Sequence, residues 1–390
     1  TVQDKLNRTT ILVAHNAAHD LMWLWESGFT YNGEVFDTML GEYILQRGQK
    51  EPLSLEACAE RHQLHTKKQD TLKEYFKQGL NVSEIPHDEL SEYLSADLHA
   101  TQQLFRHQDK EYTFGKGKTL VDTIRLTNQL AVHLARIYQR GFKVDLTVLE
   151  EVRKEFEQEK QELTVKLEEQ VHELMGDRPI NLNSPEQLSW IIYSRKVNDK
   201  PVWSAAYEDR VSNTQHKDNI RSLTTKLYKQ KAERCNECYG SGQIRKTRKD
   251  GTPHKNTNKC PTCSSTGFLY TNKKDFAGLK FIAPDYKWAS ANGFSTSKGN
   301  LIYLEGIARS RGMHAAEAFL QRVRRLSALD TYLSSFVGGI ATHVKPDGML
   351  HVRLLQHRTG TGRLSGADPN MQNMPRGGTF PVKKVFISRW

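Results

Sequence analysis

The apolar positions of this chain change their period along its length. Thr10 to Ala14 (Thr-Ile-Leu-Val-Ala) is short, β-branched and apolar, the pattern of a buried strand. Asn16 follows as a predicted helix cap. Leu21, Met22, Leu24 and Trp25 form the apolar face of the helix it opens, with Asp20 in the first turn. Val35-Phe36-Asp37-Thr38 reads as a second short strand ending on an N-cap aspartate. Further on, helical spacing puts Tyr93 and Asp97 on one face, a single turn apart.

After a Gly/Lys linker at 114–118 the pattern becomes that of long helices. Val121, Ile124, Leu130, Leu134 and Ile137 recur at helical spacing up to a stop at Gly141. Asp145 and Thr147 open the next helix, with Thr147 and Glu150 as a predicted capping box. Its seam of Leu149, Val152, Phe156, Leu163, Leu167, Val171 and Leu174 runs to Gly176. Ser184 caps another helix, Pro185 suits its first position and Gln187 sits where a capping box needs it. Phe294 to Leu301 reads as a loop before a helix. Residues 315–337 read as a long amphipathic helix whose Arg322, Arg324 and Arg325 either reach a backbone phosphate or solvate one face. Met349 to Leu355 alternates as a strand, and residues 382–387 read as another.

Three groups of residues carry chemistry. A strand emptying into the Asn16 to Asp20 helix start puts a carboxylate at the carboxyl edge of a sheet, where metal and phosphate chemistry sits; the plain alternative is a capped helix. Asp37 and the Tyr93/Asp97 pair shift that balance. A carboxylate can ligate a divalent cation while a neighbouring phenol orients the attacking water, as phosphodiester hydrolysis requires. The second group is Cys235-Asn-Glu-Cys238 and Cys260-Pro-Thr-Cys263, each pair followed by glycine. Two such knuckles supply four thiolates for a closed, structural zinc site, in preference to disulfides or free thiols. Between them Arg245, Lys246, Arg248, Lys249, Lys255 and Lys259 face the single acid Asp250. That hairpin either tracks phosphates or a protein partner, or is a solvated loop. The third group is Thr361 to Pro375. Gly362, Gly366 and Pro369 favour irregular backbone, and Arg363, Asn370, Gln372 and Asn373 carry planar groups able to bond base edges and sugars; the plain alternative is a Gly/Pro/Asn surface loop.

The charge of +11, from 56 Lys and Arg against 45 Asp and Glu, suits a polyanionic partner without identifying one. The length of 390 residues suits several domains. No stretch is apolar enough to cross a membrane and no signal peptide opens the chain. A cytoplasmic protein is therefore expected.

Thr361 to Pro375 closely resembles the segment of family A DNA polymerases, the DNA polymerase I group, that leads into the palm and grips the primer-template. His15-Asn16 with Asp20, and Tyr93-x-x-x-Asp97, resemble the second and third motifs of the proofreading 3′–5′ exonuclease domain of many such enzymes. Asp37 matches the aspartate commonly found between them. Gly141 to Asp145 and Asn181 to Pro185 resemble the helical thumb, and the paired knuckles are similar to the repeats of DnaJ-type chaperones.

The resemblance implies an α/β plus mainly α fold. A partial ribonuclease H-like exonuclease domain would occupy residues 1–113, the thumb 114–202 and 286–345, an insertion with the zinc module 203–285, and the start of the palm 346–390. It implies template-directed DNA synthesis with proofreading, in a replicative, phage-like enzyme. Asp20 and Asp97 would hold Mg²⁺ or Mn²⁺ and Tyr93 would orient water, while Cys235, Cys238, Cys260 and Cys263 would hold structural Zn²⁺. Asn16, Asp37, Arg363, Gln372, Asn373 and Lys383 would meet primer-template DNA or deoxynucleoside triphosphates, and a processivity factor would dock on the thumb insertion. Lys383 stands where the family usually has arginine, keeping the charge but losing the bidentate fork. The first exonuclease motif is expected upstream of Thr1, by truncation or on a separate polypeptide, and the palm aspartates beyond Trp390. The isolated chain is thus not expected to polymerise. Two rival readings are a non-catalytic DNA-binding subunit of a naturally split polymerase and a stand-alone nuclease, for which the thumb and the Thr361 to Pro375 segment have no use.

Overall fold

The computed structural model describes residues 1–64, 71–247, 253–374 and 381–388. The chain forms two compact units, Thr1–Val152 with Ser334–Trp390, and Arg153–Leu333.

In the first unit the strands Ile11–Ala14 and Glu34–Asp37 pair in parallel, with Ala14 opposite Asp37. A parallel pair needs a crossover, and the helix Ala17–Glu26 supplies it. Both strands therefore end at the same edge, where the helix Thr38–Leu45 also begins. The helices His87–Thr113 and Val121–Arg140 close over this pair. The core holds Leu40, Tyr112, Ile124 and Ala131, and the Phe36 and Phe105 rings meet edge to face at 5.0 Å. Helix Val121–Arg140 packs on helix Ala17–Glu26, so it belongs to this unit together with the start of the helix Leu146–Met175.

The capping box expected at Thr147 is replaced by a neighbouring cap. Asp145 Oδ1 accepts from the Thr147 and Val148 amides at 2.9 and 3.1 Å, satisfying two of the free donors at the helix start. The strand expected over residues 349–355 divides. Met349–Leu350 joins Phe142–Val144 as the outer strand of a three-stranded antiparallel sheet, and Arg353–Leu355 turns to pair with Ser365–Ala367. His351 separates the two pieces, its Nδ1 lying 2.7 Å from the Tyr138 carbonyl. The strand expected at 382–387 is extended only at Phe386–Ile387, the third strand of that sheet. Pro381–Val385 coils as a 3₁₀ turn, which buries Val382 and Val385 three positions apart on one side.

The second unit is organised by the rest of helix Leu146–Met175. Phe156, Leu167 and Val171 of the expected seam are buried, with Leu167 packed in a core that includes Ile191, Ile192, Trp203, Leu304, Phe319 and Leu320. Ser184 caps helix Pro185–Tyr193 through the Gln187 amide at 3.4 Å. The Gln187 carboxamide does not close a box, because its oxygen accepts from the Asn181 amide at 2.7 Å. Ser297 caps helix Lys298–Ser310. The helix expected over 315–337 is α-helical over His314–Thr331 and continues as a π-helical turn, Tyr332–Val337. Two of its three arginines are spent on carboxylates: Arg325 forks onto both Glu159 oxygens at 2.6 Å and Arg324 pairs with Glu305. Among the described residues no helix is long and apolar enough to cross a membrane.

Candidate functional sites: a carboxylate cleft, a four-cysteine centre and a polar loop

The parallel strand pair decides where the first group of residues falls. Asn16 occupies the N-cap position in a left-handed backbone (φ 69°) but makes no side-chain cap. Asp37 does that work for two helices at once. Its Oδ1 accepts from the amides of Asn16, Met39 and Leu40 at 3.0, 2.9 and 3.3 Å, and its Oδ2 accepts from Ala17 at 2.9 Å. With 1% exposure and both oxygens spent on backbone, Asp37 presents nothing to DNA or substrate, and the contact expected of it gives way to a structural role. Burial pushes its carboxyl up to about 6, outweighing the backbone donors that favour the charged form.

Asp20, Tyr93 and Asp97 all line one cleft of about 850 Å³, beside His15 and apolar residues of both strand and helix. Burial against these walls raises the Asp20 carboxyl above its usual range, with the His19 charge opposing. His15 is fixed on both ring nitrogens, by Thr38 Oγ1 at 2.9 Å and the Leu53 carbonyl at 2.8 Å, and burial lowers its pKa. Doubly tethered, it forms part of the cleft wall. Among the described residues Asp20 and Asp97 belong to no group of three or more ligating side chains within mutual reach. Asn16 opens instead onto a neighbouring cleft of about 650 Å³ that also has Tyr43, Lys50, Arg358 and Thr359 in its wall.

The four cysteines converge. The first knuckle follows the strand Tyr228–Arg234 and the second precedes its antiparallel partner Phe268–Phe276, while the shorter hairpin Gln243–Thr247 with Pro253–Lys259 connects the two knuckles along the chain. All four Sγ atoms lie within 4.8 Å of one another and are buried. The cross pairs Cys235/Cys260 and Cys238/Cys263 stand at 3.9 and 3.6 Å, far beyond the ~2.05 Å of a disulfide. The Gly242 and Gly267 amides each donate to a sulfur, Cys238 and Cys263 respectively, at 3.3 Å. Four sulfurs with amide donors around them form a donor set for a soft tetrahedral metal with no open position. The basic residues expected to flank the knuckles are described in part. Arg248, Lys249 and Asp250 lie outside the described residues, as do the side chains of Lys246 and Lys255.

The Thr361 to Pro375 segment is a hairpin return followed by turns. Ser365–Ala367 pairs with Arg353–Leu355, and the loop between them is tied by Thr359 Oγ1 to the Arg363 carbonyl at 2.6 Å. Gly362 has φ +73° with open space around it, a conformation that suits glycine. Asn370 is spent on the turn, accepting from the Gln372 amide at 3.2 Å. Arg363, Gln372 and Asn373 are exposed, and their side chains make no hydrogen bond among the described residues. Lys383 is exposed on its 3₁₀ turn, and Pro375 lies outside the described residues. One anchor went unnoticed in the sequence: the Tyr43 hydroxyl donates to the Thr359 carbonyl at 2.6 Å across 316 positions, a partnership no local pattern announces.

No protein-family model matches the chain. It is 23% identical to DNA polymerase I of Bacillus subtilis over 352 residues, covering 90% of this chain and 28% of that protein. DNA polymerase I of Streptococcus pneumoniae is 40% identical over 109 residues, 27% of this chain and 11% of that protein. Among solved structures it matches the POL domain of Pol1 from M. smegmatis in complex with DNA primer-template and dNTP. The TM-score is 0.52 at 19% identity, over 96% of this chain and 44% of the other. The chain thus spans 28% and 11% of the length of these two relatives.

Proposed function

We propose that this chain, which belongs to the family A DNA polymerases of the DNA polymerase I group, forms part of an enzyme of template-directed DNA synthesis and grips the primer-template through the loop after Gly362. The observation that carries this reading is the loop's division of labour. Gly362, Asn370 and the Ser365–Ala367 pairing fix the backbone, while Arg363, Gln372 and Asn373 stand exposed with their donors uncommitted among the described residues. A guanidinium and two carboxamides held this way can bond phosphates, sugars and minor-groove base edges. Lys383 adds a charge suited to a phosphate. Arg363→Ala is expected to weaken primer-template binding several-fold and reduce the slope of log affinity against log salt by about one. Unchanged affinity across the salt series would remove the role.

The same reading gives the cleft to 3′–5′ proofreading. Asp20 and Asp97 would hold Mg²⁺ or Mn²⁺ there, an ion that supplies a charge clamp for a phosphodiester, and Tyr93 would orient water. Two carboxylates do not complete such a donor set, and the remaining ligands would come from outside the described residues. The cysteine centre fits structural Zn²⁺. A processivity partner for the residues 203–285 and a phage-like parent remain extensions of the reading, suggested by the position of the module in the chain.

A further inference from the structure

The second unit carries an open pocket of about 530 Å³ beside the root of the long cysteine-bearing hairpin. Among the described residues Arg195, Lys217, Arg221, Lys226 and Lys280 line it, and no Asp or Glu does. The nearest pairing is Arg221 with Asp218 at 3.8 Å, both exposed. Arg195 is held by the protein itself, its Nε donating to Thr224 Oγ1 at 2.6 Å and its Nη2 to the Ile220 carbonyl at 3.0 Å. The space between the cations is apolar. Ile282 is 74% exposed and Phe276 43% exposed, over a floor that includes the buried Phe281. At the lip the Phe276 ring stacks on Tyr228 at 4.9 Å and 28°, with Lys226 Nζ 5.1 Å from the Phe276 centroid.

Five cations around exposed apolar surface repel one another and leave that surface wet, so the free pocket is poorly compensated. An occupant that relieves both costs must bring several negative charges and a flat apolar face. We propose that this pocket binds single-stranded DNA, with a base stacked on Phe276 and against Ile282 and the flanking phosphates on Lys217, Lys226 and Lys280. A duplex keeps its base faces covered; a single strand offers them, and an aromatic platform beside cations is how such strands are held. An acidic peptide would satisfy the charges but gains less from a ring already aligned for stacking. The site shares no residue with the Arg363 loop and goes beyond the duplex grip proposed for it.

The test is fluorescence anisotropy of labelled oligo(dT) with the full chain across a salt series. The double variant Lys226→Glu/Lys280→Glu is expected to bind roughly ten-fold or more weakly at low salt, with a shallower salt slope by about 1.4, since each single-strand phosphate contact contributes about 0.7. Phe276→Ala is expected to lose roughly five-fold or more. Should the charge reversals disturb folding, Lys226→Gln and Phe276→Leu remove the charge and the ring face while keeping bulk, with the same direction expected. Wild-type affinity for oligo(dT) in the folded variants would overturn the proposal. So would a Glu- and Phe-rich peptide that binds wild type and fails on the variants while oligo(dT) binding stays unchanged, which would assign the pocket to a protein. Primer-template affinity measured alongside separates this site from the Arg363 loop, because either can fail alone.

Discussion

Asp37 shows how one residue can be legible in position and misread in role. Its place after a short β-branched strand identifies an N-cap, and the cap is there. What the sequence hides is that the parallel partner strand ends beside it, so that one carboxylate serves the starts of two helices through four amides. Asp37→Ala leaves those donors unsatisfied in a buried place and is expected to destabilise the first unit by roughly 3 kcal/mol, read by denaturant unfolding. The pH dependence follows from the raised carboxyl. A folded-state pKa of about 6, above the ordinary value, means the folded protein holds this proton more tightly than the unfolded chain does. Its stabilising contribution is full below about pH 4 and is lost as pH rises through about 6. The cost of Asp37→Ala should therefore be larger at pH 4.5 than at pH 7.5; a cost that grows with pH contradicts the assignment. Tyr93 and Asp97, by contrast, were legible as a pair on helical spacing, and they line one cleft together with Asp20.

At the level of elements, the cysteine hairpins are the most readable part of the chain, because two Cys-x-x-Cys knuckles leave little freedom in what they build. The shorter strands were less readable. Residues 349–355 have one alternating pattern but enter two sheets, since His351 is drawn to the Tyr138 carbonyl, and 382–385 coil because their apolar spacing suits a 3₁₀ turn as well as a strand. Among the described residues the cysteine module has almost no apolar core besides its sulfurs, with Ile244 packing against them. On the zinc reading, the metal supplies much of its stability. About one zinc per chain is expected by elemental analysis of reduced, folded protein, and chelation should expose the hairpins to proteolysis while the helices persist. Reduced, well-folded protein without metal would refute this. The Arg325 fork onto Glu159 is half-exposed, so Arg325→Ala is expected to cost about 1 kcal/mol or less.

For the whole molecule, the division into two units was not readable from the sequence. The helices from Val121 onward look alike in sequence, yet Val121–Arg140 packs with the strand pair while Arg153–Leu333 forms its own core. Long-range packing of one amphipathic helix against another leaves no local mark. The claim that the loop after Gly362 grips primer-template DNA is tested most directly by a photoreactive amino acid placed at Gln372, irradiated with the chain bound to a labelled primer-template. A crosslink to the primer-template near the primer terminus, lost at high salt, is the expected result. Bound DNA that never crosslinks from position 372 would show that the loop lies elsewhere and that the grip on the duplex has been misplaced.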